Sequence, residues 1–214
     1  MSRLFAIGVM ALALAACQSP QLTTPRGATP QTVSQQPGDV PGMQRCATSG
    51  EIKAVLAQER IEGSPAYNMH ATEWEQWKQQ GATDAYFAVF GASAADCAAV
   101  SAAGTGAPQG GLMVGLVVEF SSSKLAAVNY RRDSTLMGLG PKDIRFIELA
   151  NGTTTFGAAT GLGPQSMTGS GLVAGTNYFV AMWQNKRFET DFMGYAVADA
   201  DANQAVLNMN RRIP

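Results

Sequence analysis

The sequence has little net charge, a single histidine and few cysteines. In 214 residues, 15 Lys and Arg face 16 Asp and Glu, so the formal net charge is −1. No strong basic field is available to neutralise a phosphate backbone, and we therefore expect no nucleic-acid partner. One His and three Cys leave too few free ligands for the usual four-ligand zinc site, because all three cysteines are assigned other roles below. We expect no metal centre and no other cofactor.

The N-terminus lacks a hydrophobic run long enough to remain in a membrane. After Arg3, residues 4–16 form an uncharged stretch of 13 residues. At about 1.5 Å per helical residue this stretch reaches about 20 Å, whereas the hydrocarbon core of a bilayer is about 30 Å thick. A short apolar run behind a positive charge is typical of a cleaved signal. We therefore assign residues 1–16 to a signal peptide.

The end of this run, Leu14-Ala15-Ala16-Cys17, resembles the cleavage motif of bacterial lipoproteins. That resemblance implies that Cys17 becomes the mature N-terminus and carries a diacylglyceryl group and an amide-linked acyl chain such as palmitate. Each buried CH₂ contributes about 0.8 kcal/mol, so two or three chains would hold the protein on the bilayer. Gln18 is not the Asp that retains lipoproteins at the inner membrane. In a host with two membranes we expect the protein to reside on the periplasmic face of the outer membrane. The alternative is that the N-terminal segment is an ordinary secretory signal and that Cys17 is not acylated.

The stretch after the predicted anchor is polar and rich in proline. Residues 17–45 contain many Pro, Gln, Ser and Thr, and Leu22, Val33, Val40 and Met43 are their only large apolar side chains. Such a segment buries too little surface to offset the entropy lost on ordering. The composition predicts a disordered tether, followed by a single globular domain over residues 46–214.

Local patterns predict the elements of the first half of this domain. Three Ser or Thr residues stand three positions before an acidic residue, the spacing of a helix capping box: Thr48, Thr72 and Ser93. Apolar runs of strand length lie between the resulting helices. The predicted helices cover 49–60, 72–81, 94–103 and 122–132, and the predicted strands are Tyr86–Phe90 and Leu112–Phe120.

The second half reads as a series of hairpins that ends in a helix. Asn151-Gly152 is a strong turn signal and predicts a hairpin between Ile144–Leu149 and Thr153–Phe156, with a helix over the first segment as the alternative. Further strands are predicted at Met167–Val173, Asn177–Gln184 and Arg187–Tyr195, the last two joined by the Asn185-Lys186 turn, before a helix capped by Asp199.

The last predicted strand indicates how the sheet is covered. Phe188 and Phe192 share one face of it, and Glu189 and Asp191 share the other. This alternation predicts a sheet that is buried on one side and wetter on the other. We therefore expect an α+β fold, in which helices pack on one face of an antiparallel sheet.

Two cysteines remain after acylation of Cys17. Export places Cys46 and Cys97 in an oxidising compartment, and because just two cysteines remain they are expected to form a disulfide with each other. The alternative is a reactive thiol at Cys97, although its sequence neighbours include no Lys, Arg or His.

No catalytic constellation stands out. Ser93 follows a predicted strand and opens a helix, as in a hydrolase nucleophile elbow, but His70 precedes it, whereas that fold places its histidine after the serine. Carboxylate pairs such as Glu119 or Glu148 with Asp191 have no spacing that brings them together. We expect no enzyme and assign no catalytic residues.

The order of elements resembles that of small exported lipoprotein domains of the PsbP-like group, which includes receptor-kinase sensor domains and photosystem accessory proteins. The resemblance is carried by Leu112–Phe120 running into Ser122–Ala127, and by the Asn185-Lys186 hairpin that leads to an Asp- and Ala-rich terminal helix. It implies a PsbP-like sandwich that acts as a binding or assembly factor without catalysis. The sensor-type domains often hold two disulfides, whereas this chain can form one.

These features together predict a membrane-anchored binding or assembly accessory of the cell envelope, whose partner is an envelope protein or a small ligand. The residues expected to form an exposed binding surface are the large amphipathic ones: Trp74, Trp77, Tyr178, Met182 and Trp183. Two Gly-Leu-Gly-Pro segments, 138–141 and 161–164, are expected to be tight turns or, alternatively, the mouth of a pocket. A structural envelope protein that self-associates and a hydrolase are the alternative functions.

Overall fold

The computed structural model of the chain describes residues 27–100, 108–132 and 134–214. The predicted signal peptide over residues 1–16 and the predicted acylation site at Cys17 therefore lie outside the described residues, as does the end of the helix predicted over 94–103.

The described residues form helices and strands in mixed order. The helices are α1 (Pro30–Val33), α2 (Ile52–Glu62), α3 (Tyr67–Gln79), α4 (Ala94–Ala99), α5 (Ser123–Tyr130), α6 (Pro141–Leu149) and α7 (Asp199–Arg211). The strands are β1 (Gln44–Arg45), β2 (Gly50–Glu51), β3 (Ala82–Gly91), β4 (Leu112–Phe120), β5 (Thr153–Phe156), β6 (Ser166–Val173), β7 (Thr176–Asn185) and β8 (Phe188–Tyr195). A short 3₁₀ helix, Gly157–Thr160, follows β5.

All eight strands belong to one antiparallel sheet. Its order is β1-β3-β4-β8-β7-β6-β5, and β2 pairs with β3 beside β1. The longest pairings join β3, β4, β8 and β7, which form its centre. The predicted α+β class with an antiparallel sheet is confirmed.

Helices cover both faces of this sheet, so the expectation of a single covered face is wrong. On one face, Phe179 and Phe192 pack in a core with α7, which contributes Ala205 and Met209. The opposite face is covered by α2 and α3 next to β3, by α5 next to β4, β8 and β7, and by α6 next to β6 and β7. Nearly every residue of β4 is buried, as is typical of a strand covered on both sides.

The predicted tether is wrong for residues 27–45, which pack against the sheet. Val33 and Val40 lie in the same core as α7. Arg212, which directly follows α7, forms an ion pair with Asp39 and donates a hydrogen bond to the Ser34 carbonyl at 2.9 Å. Two well-placed valines and these polar contacts hold a segment that composition alone assigns to disorder. The folded part of the chain therefore includes residue 27.

Of the three helix caps predicted from the sequence, the one at Ser93 forms and those at Thr48 and Thr72 do not. Ser93 caps α4 and accepts a hydrogen bond from the Asp96 amide at 3.1 Å, as its spacing predicts. The box at Thr48 does not form, because α2 begins at Ile52, after the pairing of β2 with β3. The box at Thr72 is also wrong: the residue lies inside α3, and its hydroxyl donates to the Asn68 carbonyl at 2.7 Å.

The predicted hairpin at Asn151-Gly152 is wrong, and the helical alternative for its first segment is correct. Ile144 and Ile147 of α6 are buried at helical spacing against β7. Asn151 adopts a φ of 57° at the end of this helix, and the chain then enters β5, which pairs with β6. The hairpin at Asn185-Lys186 is confirmed by the pairing of β7 with β8.

The disulfide between Cys46 and Cys97 is confirmed. The two Cα atoms lie 5.2 Å apart, and the bond spans 51 positions of the sequence. It joins the residue that follows β1 to α4, across the edge of the sheet where β1 and β2 pair with β3. Cys97 is therefore not a free thiol.

Replacing both cysteines by serine, Cys46→Ser with Cys97→Ser, is expected to lower the free energy of unfolding by about 4 kcal/mol. This figure follows from the loop entropy that a bond over 51 positions removes from the unfolded chain. Urea denaturation measures it. A reductant should destabilise the wild type by a similar amount and leave the double variant unchanged; an equal effect on both proteins would contradict the prediction.

Candidate functional site

The five residues expected to form a binding surface do not form one. Four of them are buried: Trp74, Trp77, Met182 and Trp183. Trp183 lies in the core under α7, the other two tryptophans in the core on the opposite face, and Met182 in a third cluster with α6. Tyr178 is half-buried at the edge of that third cluster.

These aromatic residues have packing roles. The Trp77 indole nitrogen donates a hydrogen bond to the Thr135 carbonyl at 3.0 Å, and its ring lies 5.9 Å from that of Phe120. Tyr178 and Tyr195 make an edge-to-face contact with ring centroids 5.2 Å apart. The predicted exposed aromatic surface is therefore wrong, because helices cover both faces of the sheet.

Helix α2 has open space on two of its sides. Of its 11 residues only Ile52 is buried, and Val55 and Leu56 are half-buried. A hydrogen bond connects it to α3, with the His70 Nδ1 atom 2.8 Å from the Glu59 Oε1 atom. A helix held by so few contacts leaves a concave surface on each of its sides.

The first of these surfaces is a cleft between α2 and the segment that leads from Cys46 to β3, which we name the α2–β3 cleft. Its volume is about 530 Å³. The lining is apolar at Val55 and Phe87 and polar at Thr48, Glu59 and Glu62. No Lys or Arg among the described residues lines it, so the cleft favours a neutral or positively charged group.

The second surface lies between α2 and α3, and we name it the α2–α3 groove. Its volume is about 770 Å³. Three cationic side chains, Lys53, Arg60 and Lys78, and one acidic side chain, Glu75, border it. Apolar carbon comes from residues such as Ile61 and Trp74. The two sides of one helix thus carry opposite charge.

Sequence reasoning missed both surfaces, although α2 carries a signal. Lys53 and Arg60 stand seven positions apart and Glu59 and Glu62 three apart, so each pair shares a helix face. Ile61 interrupts the charged residues and is 80% exposed. A helix with so narrow an apolar stripe cannot bury much of its surface.

A buried pair of carboxyl groups lies on the face of β8 that was expected to be wet. Glu189 and Asp191 are each 2% exposed. Asn129 of α5 donates a hydrogen bond to the Glu189 Oε2 atom at 3.0 Å. The prediction that this face of β8 is exposed to solvent is wrong, because α5 packs over this part of the strand.

Burial changes the acidity of this cluster. It raises the pKa of Glu189 well above the usual value, the charge of Asp191 raises that pKa further, and the hydrogen bond from Asn129 lowers it. Burial and the charges of Asp191 and Glu189 likewise raise the pKa of Tyr130. The folded protein therefore favours the protonated form of Glu189.

The other carboxylates singled out from the sequence do not join Asp191. Glu119 forms an ion pair with Arg187 at 2.7 Å, and Glu148 is exposed on α6. The pairing that the structure shows, Glu189 with Asp191, follows from two positions on the same face of one strand.

The serine and the histidine that suggested a hydrolase each bond to another residue. The Ser93 hydroxyl donates to the Asp96 Oδ2 atom at 2.6 Å, and His70 bonds Glu59. The Ser93 hydroxyl and the backbone amides of Gly110 and Gln109 lower the pKa of Asp96. Within the described residues, no three His, Cys, Asp or Glu side chains are placed to hold a metal ion.

The Gly-Leu-Gly-Pro segments form turns. Gly138, Gly161 and Gly163 adopt positive φ angles, and the leucines between the glycines, Leu139 and Leu162, are buried. Neither segment lines the cleft or the groove.

No helix in the described parts of the chain combines the length and the hydropathy that crossing a bilayer requires. No protein-family model and no curated protein sequence matches the chain. Among solved structures, it is similar to the extracellular domain of PknH from Mycobacterium tuberculosis, with 11% identity and a TM-score of 0.47, over 88% of this chain and 97% of that one.

Replacing the buried carboxyl by its neutral isostere, Glu189→Gln, is expected to stabilise the fold at pH 7 more than at pH 4. The pKa of Glu189 is raised in the folded state, so the folded state binds this proton more tightly than the unfolded state does. Stability from this group is therefore lost as the pH rises above the unfolded value of about 4.3. Urea denaturation at both pH values measures the difference.

The matched control for this experiment is Glu148→Gln, which changes an exposed carboxylate. It should alter stability little at either pH. If Glu189→Gln changes the free energy of unfolding by the same amount at pH 4 and pH 7, the pKa of Glu189 is not raised in the folded protein.

Proposed function

We propose that the protein is an exported lipoprotein, anchored through acylated Cys17, that acts without catalysis as a binding or assembly accessory of the cell envelope. The α2–β3 cleft is the observation that carries the binding role. In a host with two membranes, the protein resides on the periplasmic face of the outer membrane. Its partner is an envelope protein or a small ligand.

Two features support export. The run from Leu14 to Cys17 has the residues of a lipoprotein cleavage site. The disulfide between Cys46 and Cys97 is a type of bond that persists in oxidising compartments outside the cytosol. Both features fit the same location.

The chain between the anchor and the folded part is short. Nine residues, 18–26, separate Cys17 from Gly27. An extended chain covers at most about 3.3–3.6 Å per residue, so the tether spans about 30 Å. The protein would thus work close to the bilayer surface, which suits an accessory of membrane-bound envelope components.

The α2–β3 cleft has the properties of a small binding site. Its volume of about 530 Å³ lies in the range of sites for small organic molecules or for a side chain and its neighbours. Val55 and Phe87 offer apolar contact, while Thr48 and Glu59 offer polar groups. This combination allows a ligand to be both desolvated and oriented.

Filling the cleft should abolish binding without unfolding the protein. Ala54 is exposed on α2 and lines the cleft, so Ala54→Trp would place an indole in the cavity at little cost to the core. The measurement is native mass spectrometry of the acylated protein extracted from its membrane in mild detergent. We expect the wild type to carry an additional bound mass, and the fraction of protein that carries it to be at least tenfold lower in the variant.

The matched control is Ala200→Trp, which places the same side chain on an exposed position of α7. It should retain the bound mass. If the wild type carries no bound mass, or if Ala54→Trp retains it as Ala200→Trp does, the cleft is not the binding site.

A further inference from the structure

We infer that the α2–α3 groove binds a single-chain anionic amphiphile, that is, one alkyl chain with a carboxylate or phosphate head group. This inference rests on the proposed binding function and assigns it a second site with its own ligand class. It concerns the side of α2 that faces away from the α2–β3 cleft.

The cationic border of the groove supports an anionic head group. Lys53 and Arg60 are exposed and form no ion pair with another described residue. Lys78 lies at the same groove, with its amino group 2.6 Å from a carboxylate oxygen of Glu75. Two cations with available charge and a third that is partly neutralised leave a net positive groove, which attracts an anion and disfavours a cation.

The apolar part of the groove supports an alkyl chain. Leu56 and Trp74 contribute apolar carbon to its lining. Ile61 lies at the end of α2 with 80% of its surface exposed, the largest exposed fraction among the large apolar residues described. Covering such a side chain with methylene groups is favourable, at about 25 cal/mol per Å² of apolar surface removed from water.

The size of the groove is sufficient for one small amphiphile. Its volume of about 770 Å³ lies within the range of small-molecule sites. On the other side of the same helix, Glu59 and Glu62 line a cavity without a cation from the described residues. Charge therefore favours the binding of an anionic amphiphile in the groove and disfavours it in the cleft.

Decanoate and decyltrimethylammonium test the inference, because they share one chain length and carry opposite head-group charges. Both are titrated below their micelle concentrations into the full chain carrying Cys17→Ser, which cannot be acylated there, with isothermal titration calorimetry as the readout. We expect saturable binding of decanoate at a single site. Decyltrimethylammonium should bind at least tenfold more weakly.

Charge-reversal variants locate the site. Lys53→Glu and Arg60→Glu should each weaken decanoate binding by about fivefold, as expected for a partly exposed ionic contact. Lys124→Glu reverses a lysine exposed on α5, outside the groove, and should leave the affinity unchanged. All variants keep the same N-terminal segment, so differences between them report the groove.

Apolar variants provide an independent check. Ile61→Asn should weaken decanoate binding, whereas Leu172→Asn changes a side chain that is 67% exposed on β6 and should not. Circular dichroism establishes that each variant is folded.

Two results would overturn the inference: equal affinity for the two head groups, or decanoate binding that Arg60→Glu and Ile61→Asn leave intact. Binding to phosphatidylglycerol vesicles is measured as well. If the protein binds these vesicles but not free decanoate, the groove contacts the bilayer surface and not a single amphiphile, which also overturns the inference. Because the titrated chain is not acylated, failure of the lipid anchor would not alter these outcomes. The cleft is tested separately through Ala54→Trp.

Discussion

The disulfide between Cys46 and Cys97 fixes the part of the chain on which the candidate sites depend. It ties the residue after β1 to α4, and the short strand β2 then pairs with β3 before α2 begins. With these two attachments α2 needs little burial of its own: Ile52 is its one buried residue among those described, and Leu56 packs half-buried against the same core. The same bond restricts the compartment in which the folded protein persists, because a reducing cytosol would remove it.

The weak packing of α2 has a functional consequence. Helices that cover a sheet are usually buried along a broad apolar stripe, and α7 follows this rule with four buried residues. Helix α2 instead lies at the surface, with a hydrogen bond between Glu59 and His70 connecting it to α3. The charged residues that line the space on its two sides differ, with Glu59 and Glu62 on one side and Lys53 and Arg60 on the other. Both proposals therefore concern the flanks of this helix.

The sequence predicts those elements whose signals are local. The strand Leu112–Phe120 and the cap at Ser93 are found where the pattern places them, because a run of apolar residues or a capping side chain acts within a few positions. The two cysteines that remain after the predicted acylation of Cys17 likewise predict the disulfide. The class of the fold follows from the order of such elements.

Other features depend on contacts between distant segments and are misread from the sequence. Glu189 and Asp191 look like a solvent-facing stripe, yet α5 covers them. Trp74 and Trp183 have the amphipathic character of surface anchors but fill cores on opposite faces. Both cavities arise from how α2 sits against β3 and α3, which no local pattern specifies.

The most direct test of the account is the intact mass of the mature protein purified from its membrane, measured with and without reduction. The account predicts a chain that begins at Cys17, carries two or three acyl chains and gains two hydrogens on reduction as the bond between Cys46 and Cys97 opens. A chain that begins at Met1, is recovered from the cytosol and has the same mass before and after reduction would contradict it.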